Sequence, residues 1–154
     1  MQNRKVVIID EDARFLSVTK KILIMGGYDP VVVNDVSLAL DTVIKEKPDV
    51  ILVELVMSRK NGFELIDGIN RACASRRIPI IAMSTFFKAE FNWLFDLCGI
   101  KRWLKKPFQP LDVMWAIENE IAEVGDYLFR DTQDKSQAHS RNQSGQVDCF
   151  CTPS

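Results

Sequence analysis

The chain lacks an excess of either charge. Its 154 residues carry 20 basic and 21 acidic side chains, for a formal net charge of −1. No basic surplus is present to follow a phosphate backbone or an anionic bilayer, so neither nucleic acid nor a membrane is expected as the main partner. The chain also lacks a long apolar run. No stretch reaches the roughly 18–20 residues that a membrane span needs. Met1 to Lys5 pass directly from polar residues into a strand pattern, so no secretory signal is expected and a cytoplasmic location follows. There is no internal repeat, and no room for a second folded domain beside a core of this length.

Cysteine is scarce and badly placed for cross-linking. Cys73 and Cys98 fall within helical patterns and read as small buried hydrophobes. Cys149 and Cys151 lie two apart near the end, but no second cluster is present to complete four metal ligands. The last four residues have the length of a prenylation box, yet Thr152 and Pro153 occupy its aliphatic positions.

What is present is alternation. Five strand-like runs, Lys5–Ile9, Pro30–Val33, Val50–Val53, Ile78–Met83 and Arg102–Leu104, are separated by helical patterns. The first, third and fourth are almost continuously apolar, as strands covered on both faces are. The expected fold is therefore α/β: a doubly wound five-stranded parallel sheet flanked by helices on both faces.

The helices show themselves by spacing and punctuation. Phe15, Leu16, Ile22 and Leu23 stripe the first, which Gly26-Gly27 stops. Ser37 is the expected cap of the second, whose stripe is Ala39, Leu40, Val43 and Ile44. Asn61-Gly62 reads as a turn before the third. Pro110 fits the first turn of the last, with Leu111, Met114, Ile117 and Ile121 inward. The fourth helix, expected over about Phe86 to Leu97, has two apolar stripes, one of Phe87, Phe91, Leu94 and Phe95 and another of Phe86, Trp93 and Leu97. One stripe is enough to cover a sheet, so the second either folds over loops or meets a partner. Residues 1–124 are expected as the folded domain, and 125–154 as a helix extension and disordered polar tail.

In a doubly wound sheet, ligands bind beyond the carboxyl ends of the strands. Asp10, Glu11 and Asp12 follow the first strand, Glu54 ends the third, Ser84 and Thr85 end the fourth, and Lys106 follows the fifth. Carboxylates suit Mg²⁺, while a hydroxyl and an ammonium can hold phosphate oxygens. Singly, each has a plain structural use, as a cap or as surface charge. Two carboxylates 4 Å apart repel by about 4 kcal/mol at an effective dielectric near 20. The acids must therefore bind a cation, pair with Lys106, or raise one carboxyl's pKa.

The segments Val6-Val-Ile-Ile-Asp10-Glu11-Asp12, Pro48 to Met57, Ile78 to Ser84 and Trp103-Leu-Lys105-Lys106-Pro107-Phe108 resemble, in that order, the motifs of response regulator receiver domains of two-component systems. The resemblance covers about Lys5 to Glu123 and implies a flavodoxin-like receiver fold. It implies a phospho-acceptor position at Glu54, where the family carries aspartate. It implies Mg²⁺ held by Asp10, Glu11, Glu54 and the Val56 carbonyl, phosphate contacts from Ser84 and Lys106, and a switch aromatic at Trp103. The implied partners are a histidine kinase or another signalling protein. The face of the fourth helix, fifth strand and fifth helix, with Phe86, Trp93, Leu97 and Trp103, is the implied partner surface, including for a second copy of the chain.

Two residues depart from the pattern: Ser58 stands where proline is usual, and Glu54 is one methylene longer than aspartate, roughly 1.5 Å. Misplacement by about 1 Å can slow an in-line reaction about a hundredfold, so phosphorylation at Glu54 is not expected. The longer carboxylate can imitate a phosphoryl group only weakly, lacking its third oxygen and second charge. A working phospho-switch is the alternative. A further alternative is a haloacid-dehalogenase-type phosphatase with Asp10 as nucleophile, which needs a later acidic pair where the chain offers only Asp112.

Overall fold

A computed structural model describes residues 3–142, with side chains described up to residue 126. Cys149 and Cys151 lie outside the described residues. Five parallel strands form one sheet: β1 (Lys5–Ile9), β2 (Asp29–Val33), β3 (Val50–Glu54), β4 (Ile80–Ser84) and β5 (Arg102–Lys105), in spatial order β2-β1-β3-β4-β5. Among the described residues four α-helices connect them, α1 (Ala13–Met25), α2 (Ala39–Glu46), α3 (Gly62–Ala72) and α4 (Phe91–Cys98), and α5 (Pro110–Asn142) follows the last strand. The fold class read from the sequence is the one observed. No helix among the described residues is long and apolar enough to cross a membrane.

Strand side chains alternate between faces, and that period of two builds two cores. Val6, Ile8, Val50, Leu52, Ile81 and Met83 pack with Leu16 and Leu23 of α1 and Val113 and Ile117 of α5. Val7, Ile9, Ile51, Val53 and Ala82 pack on the other side with Val43, Ile66 and Phe95 of α2, α3 and α4. Each fully buried aliphatic contributes about 1.5–3 kcal/mol, so both faces need continuous apolar strands.

Several local expectations are corrected. Segment 85–90 is not helical, and α4 begins only at Phe91. Residues 86–88 form no regular element, and there Phe87 joins Phe91, Phe95 and Trp103 in an aromatic cluster while Phe86 remains 47% exposed. Ser37 does not cap α2. Asp35 accepts from the Ser37 N–H at 3.0 Å and starts a 3₁₀ turn, Val36–Leu38, that leads into the helix. Leu111 points outward at 77% exposure, because Val113, Ala116 and Ile117 set the phase of α5. Ile44 is also exposed. Cys73 and Cys98 are half-buried at the edge of the second core, and burial raises the Cys98 thiol pKa.

The chain divides into compact units at 122/123. Within the second unit the backbone stays helical to Asn142, beyond the point near Phe129 where the apolar stripe fades.

Candidate functional site

The strand order reverses at β1, whose neighbours are β2 and β3. Crevices in such sheets open at that switch point. Asp10 follows β1 directly, Glu54 closes β3, Ser84 closes β4 and Lys106 follows β5. The parallel register carries all four to one end of the sheet.

The site centres on one buried ammonium. Lys106 Nζ donates to Asp10 Oδ2 at 2.5 Å and to Glu54 Oε2 at 2.6 Å. The three side chains are 11%, 4% and 7% exposed, so the ion network is largely shielded from solvent. The other oxygens are occupied too: Glu54 Oε1 accepts the Val56 N–H at 3.0 Å, and Asp10 Oδ1 accepts the Asp12 N–H at 2.9 Å. Two carboxylates against one ammonium leave a formal charge of −1 in a buried place. Burial accordingly raises the Asp10 pKa, against the pull of Lys106 and the Asp12 N–H. Burial works to lower Lys106, but its hydrogen bonds to Asp10 and Glu54 outweigh that and hold it above the ordinary lysine value.

Glu11 does not join them. Its carboxylate accepts the Ser58 N–H at 2.8 Å, the Ser58 hydroxyl at 2.9 Å and the Arg59 N–H at 3.3 Å. The backbone N–H of Ser58 heads the causes that lower the Glu11 pKa. Proline has no N–H, so the departure at Ser58, slight on paper, supplies two of the three donors. Asp12 is the N-cap of α1, accepting from Arg14 and Phe15.

Mg²⁺ prefers near-octahedral oxygen ligands at about 2.0–2.1 Å. The side chains present are not arranged for it: Asp10 and Glu54 share Lys106, and Glu11 is turned to the 58–59 backbone. No group of three or more acidic, histidine or cysteine side chains placed to hold a metal ion occurs among the described residues. Of the expected set, Asp10 and Glu54 meet at Lys106, while Glu11 faces Ser58 and Arg59.

Ser84 is fully buried, and its Oγ has no hydrogen-bond partner among the described residues. Its carbonyl accepts the Lys106 N–H at 2.8 Å, which ties the ends of β4 and β5 together. Thr85 is exposed. Trp103 pairs with Ala82 in the sheet, stays 49% exposed, and stacks on Phe95 at 5.1 Å. Trp93 and Leu97, one turn apart on α4, are 59% and 73% exposed. Asp112, the acid that a phosphatase reading requires, accepts the Gln109 N–H at the start of α5, and no observation points to a phosphatase.

One neighbour was not read from the sequence. The Phe15 ring lies 4.0 Å from Lys106 Nζ and meets Phe108 edge-on at 5.6 Å. Phe15 read simply as core stripe; its place beside the acidic loop was the available signal. Lys106 and Pro107 are joined by a cis peptide bond.

A five-stranded parallel domain with an acidic first loop facing a lysine after its last strand is a doubly wound module built around charged groups at its strand ends. The response regulator receiver domain model matches residues 6–118, and the chain belongs to that family. The transcriptional regulatory protein CpxR of Escherichia coli K12 is 26% identical over 141 residues, covering 91% of this chain and 56% of its own length. The alkaline phosphatase synthesis transcriptional regulatory protein PhoP of Bacillus subtilis is 27% identical over 112 residues, covering 72% and 45%. The chain thus spans about half the length of these curated relatives. A CheY-like receiver domain protein from Methanospirillum hungatei has the same fold, with a TM-score of 0.75 at 20% identity over 82% of this chain and 99% of its own. Vibrio cholerae CheY4 gives 0.73 at 24% identity over 77% and 99%. Receiver domains are generally non-catalytic signalling modules that interact with histidine kinases and other signalling proteins, and they generally bind Mg²⁺ at the acceptor site.

Proposed function

We propose that this chain is a receiver module that signals without phosphorylation, with Glu54 in the acceptor position, and that it acts through protein contacts. One observation carries the reading: both Glu54 oxygens are engaged, one by Lys106 Nζ and one by the Val56 N–H. An acceptor carboxylate must present a free oxygen in line with the phosphorus, and here it would first have to break a buried hydrogen bond. Lys106 takes the place between Asp10 and Glu54 that a cation would fill, so the site is closed without metal. The exposed Phe86, Trp93, Leu97 and Trp103 support partner contacts on the α4 and β5 side, which extend in this reading to a second copy of the chain.

The test is intact mass after incubation with Mg²⁺ and acetyl phosphate, with Glu54→Asp/Ser58→Pro alongside. This chain should remain unmodified and its melting temperature unchanged by Mg²⁺. The double variant restores the shorter acceptor and removes two donors from Glu11, so it should bind Mg²⁺ and gain a phosphoryl group. A phosphoryl adduct on this chain would overturn the reading.

A second reading, a working phospho-switch, is favoured by Ser84. A buried unpaired hydroxyl costs about 1–3 kcal/mol, and a phosphoryl oxygen would satisfy it. The same mass measurement decides between the two.

A further inference from the structure

Beside the ion network lies an open groove of about 440 Å³, between the segment that follows β3 and the segment that runs from β4 into α4. Its floor is aromatic and aliphatic: Phe63 and Phe91 meet at 5.3 Å, and Leu94 lies beside them. Two large apolar side chains stay open at its mouth, Val56 at 54% exposure and Phe86 at 47%. The volume falls in the range of ligand pockets, about 300–1,000 Å³, and suits a large side chain better than an extended surface.

The rim is basic. Arg59, Lys60 and Lys88 line the groove, and Glu64 is the one acid among its lining residues. Lys88 Nζ sits 5.6 Å from the Phe86 ring centre, so a cation directly borders the apolar mouth. An apolar anchor in a desolvated pocket supplies most of a peptide's binding energy. Surrounding charges of one sign select the partner and speed encounter. We propose that this groove docks an acidic peptide segment of a partner protein, with an aromatic or large aliphatic side chain seated on Phe63, Phe91 and Leu94.

The inference deepens the protein-contact reading and rests on it. It also gives that reading a physical link to the ion network. The groove wall begins at Leu55, and the Val56 N–H is already held by Glu54 Oε1. An occupant that moved Val56 would act directly on the carboxylate bound to Lys106.

The experiment pans a phage-displayed library of short random peptides on the immobilised full chain, then measures an enriched peptide by fluorescence polarisation. Enriched peptides should carry Asp and Glu around an aromatic or leucine residue. Their affinity should fall by at least about tenfold for Lys60→Glu/Lys88→Glu and for Phe86→Ser, and should weaken as salt rises. Val18→Ser, exposed on α1 and outside the groove, should bind as the parent does. All these positions are exposed, and an unchanged melting temperature confirms that each variant is folded. The proposal is overturned if no peptide is enriched, if the enriched peptides carry no acidic excess, or if charge reversal leaves binding unchanged. It is also overturned if sedimentation shows a self-associating chain whose association the same reversal abolishes, since the occupant is then a second copy. A phosphoryl adduct in the mass test would remove phosphorylation-independence and leave this result standing.

Discussion

Two lysine–carboxylate pairs sit at opposite ends of the same sheet. At the carboxyl end Lys106 meets Glu54 at 2.6 Å, and at the amino end Lys5 meets Glu46 at 2.7 Å. The contacts are chemically alike. Their surroundings are not: side-chain exposure is 11% and 7% for the first pair, against 30% and 25% for the second. Water can solvate either partner of the outer pair if the other leaves. At the inner pair, Lys106 is shared by two carboxylates, Asp10 and Glu54, both almost fully buried. The comparison teaches that burial and sharing, rather than contact distance, decide what an ion pair is worth.

The comparison breaks first at Lys106. Lys106→Met should destabilise the fold by about 3–5 kcal/mol in urea melts, because it leaves two buried carboxylates unpaired. Adding Asp10→Asn and Glu54→Gln should recover most of that loss. If the single variant melts like the parent, the network is wet and the contrast between the two ends disappears.

Next is Gly62, behind the same site. A Cβ there would lie 2.4 Å from the Glu54 carbonyl oxygen and 2.6 Å from the Leu55 Cα. Backbone cannot yield as a flexible side chain can, so Gly62→Ala should cost about 1–3 kcal/mol. Gly68→Ala, where nothing lies within 4 Å, serves as the control and should cost nothing of that kind.

The amino end is sharpened by pH. Tyr28 Oη donates to Glu118 at 2.5 Å, and burial followed by this bond pushes the phenol up to about 12. The unfolded phenol titrates near 10. The folded state therefore keeps its proton longer, so its advantage is complete below about pH 10 and is lost as pH rises toward about 12. Denaturation midpoints measured across that range should fall for the parent and stay flatter for Tyr28→Phe. The smallest effect belongs to Lys5→Ala and Glu46→Ala, which should each leave the denaturation midpoint unchanged within measurement. A large loss at Lys5 would contradict the contrast from its other side.

The sheet was legible because β1, β3 and β4 announce themselves as unbroken apolar runs, and the polar groups at four strand ends, three of them charged, could be read directly from the spacing. What could not be read was the direction of individual side chains. Leu111 and Val113 have equal claims to the core by composition, and only the seating of α5 chooses Val113. Phe86 and Phe87 look like a helix start, but Phe87 packs on Phe95 and Trp103 while Phe86 stays exposed, and the helix begins only at Phe91. At the site, sequence could place Glu11 beside Asp10 but not turn it toward Ser58. That orientation rests on a backbone N–H donated across 47 residues.

Glu11 thus works as a strap between two loops. Its three hydrogen bonds fasten the turn after β1 to residues 58 and 59, which border the basic groove. Anything that draws Glu11 inward must release that segment, and anything that repositions the segment must tug on Glu11. Such coupling is reciprocal by thermodynamic necessity. A cation entering among the carboxylates and a peptide settling in the groove would therefore each change the other's affinity by the same factor, through a single carboxylate.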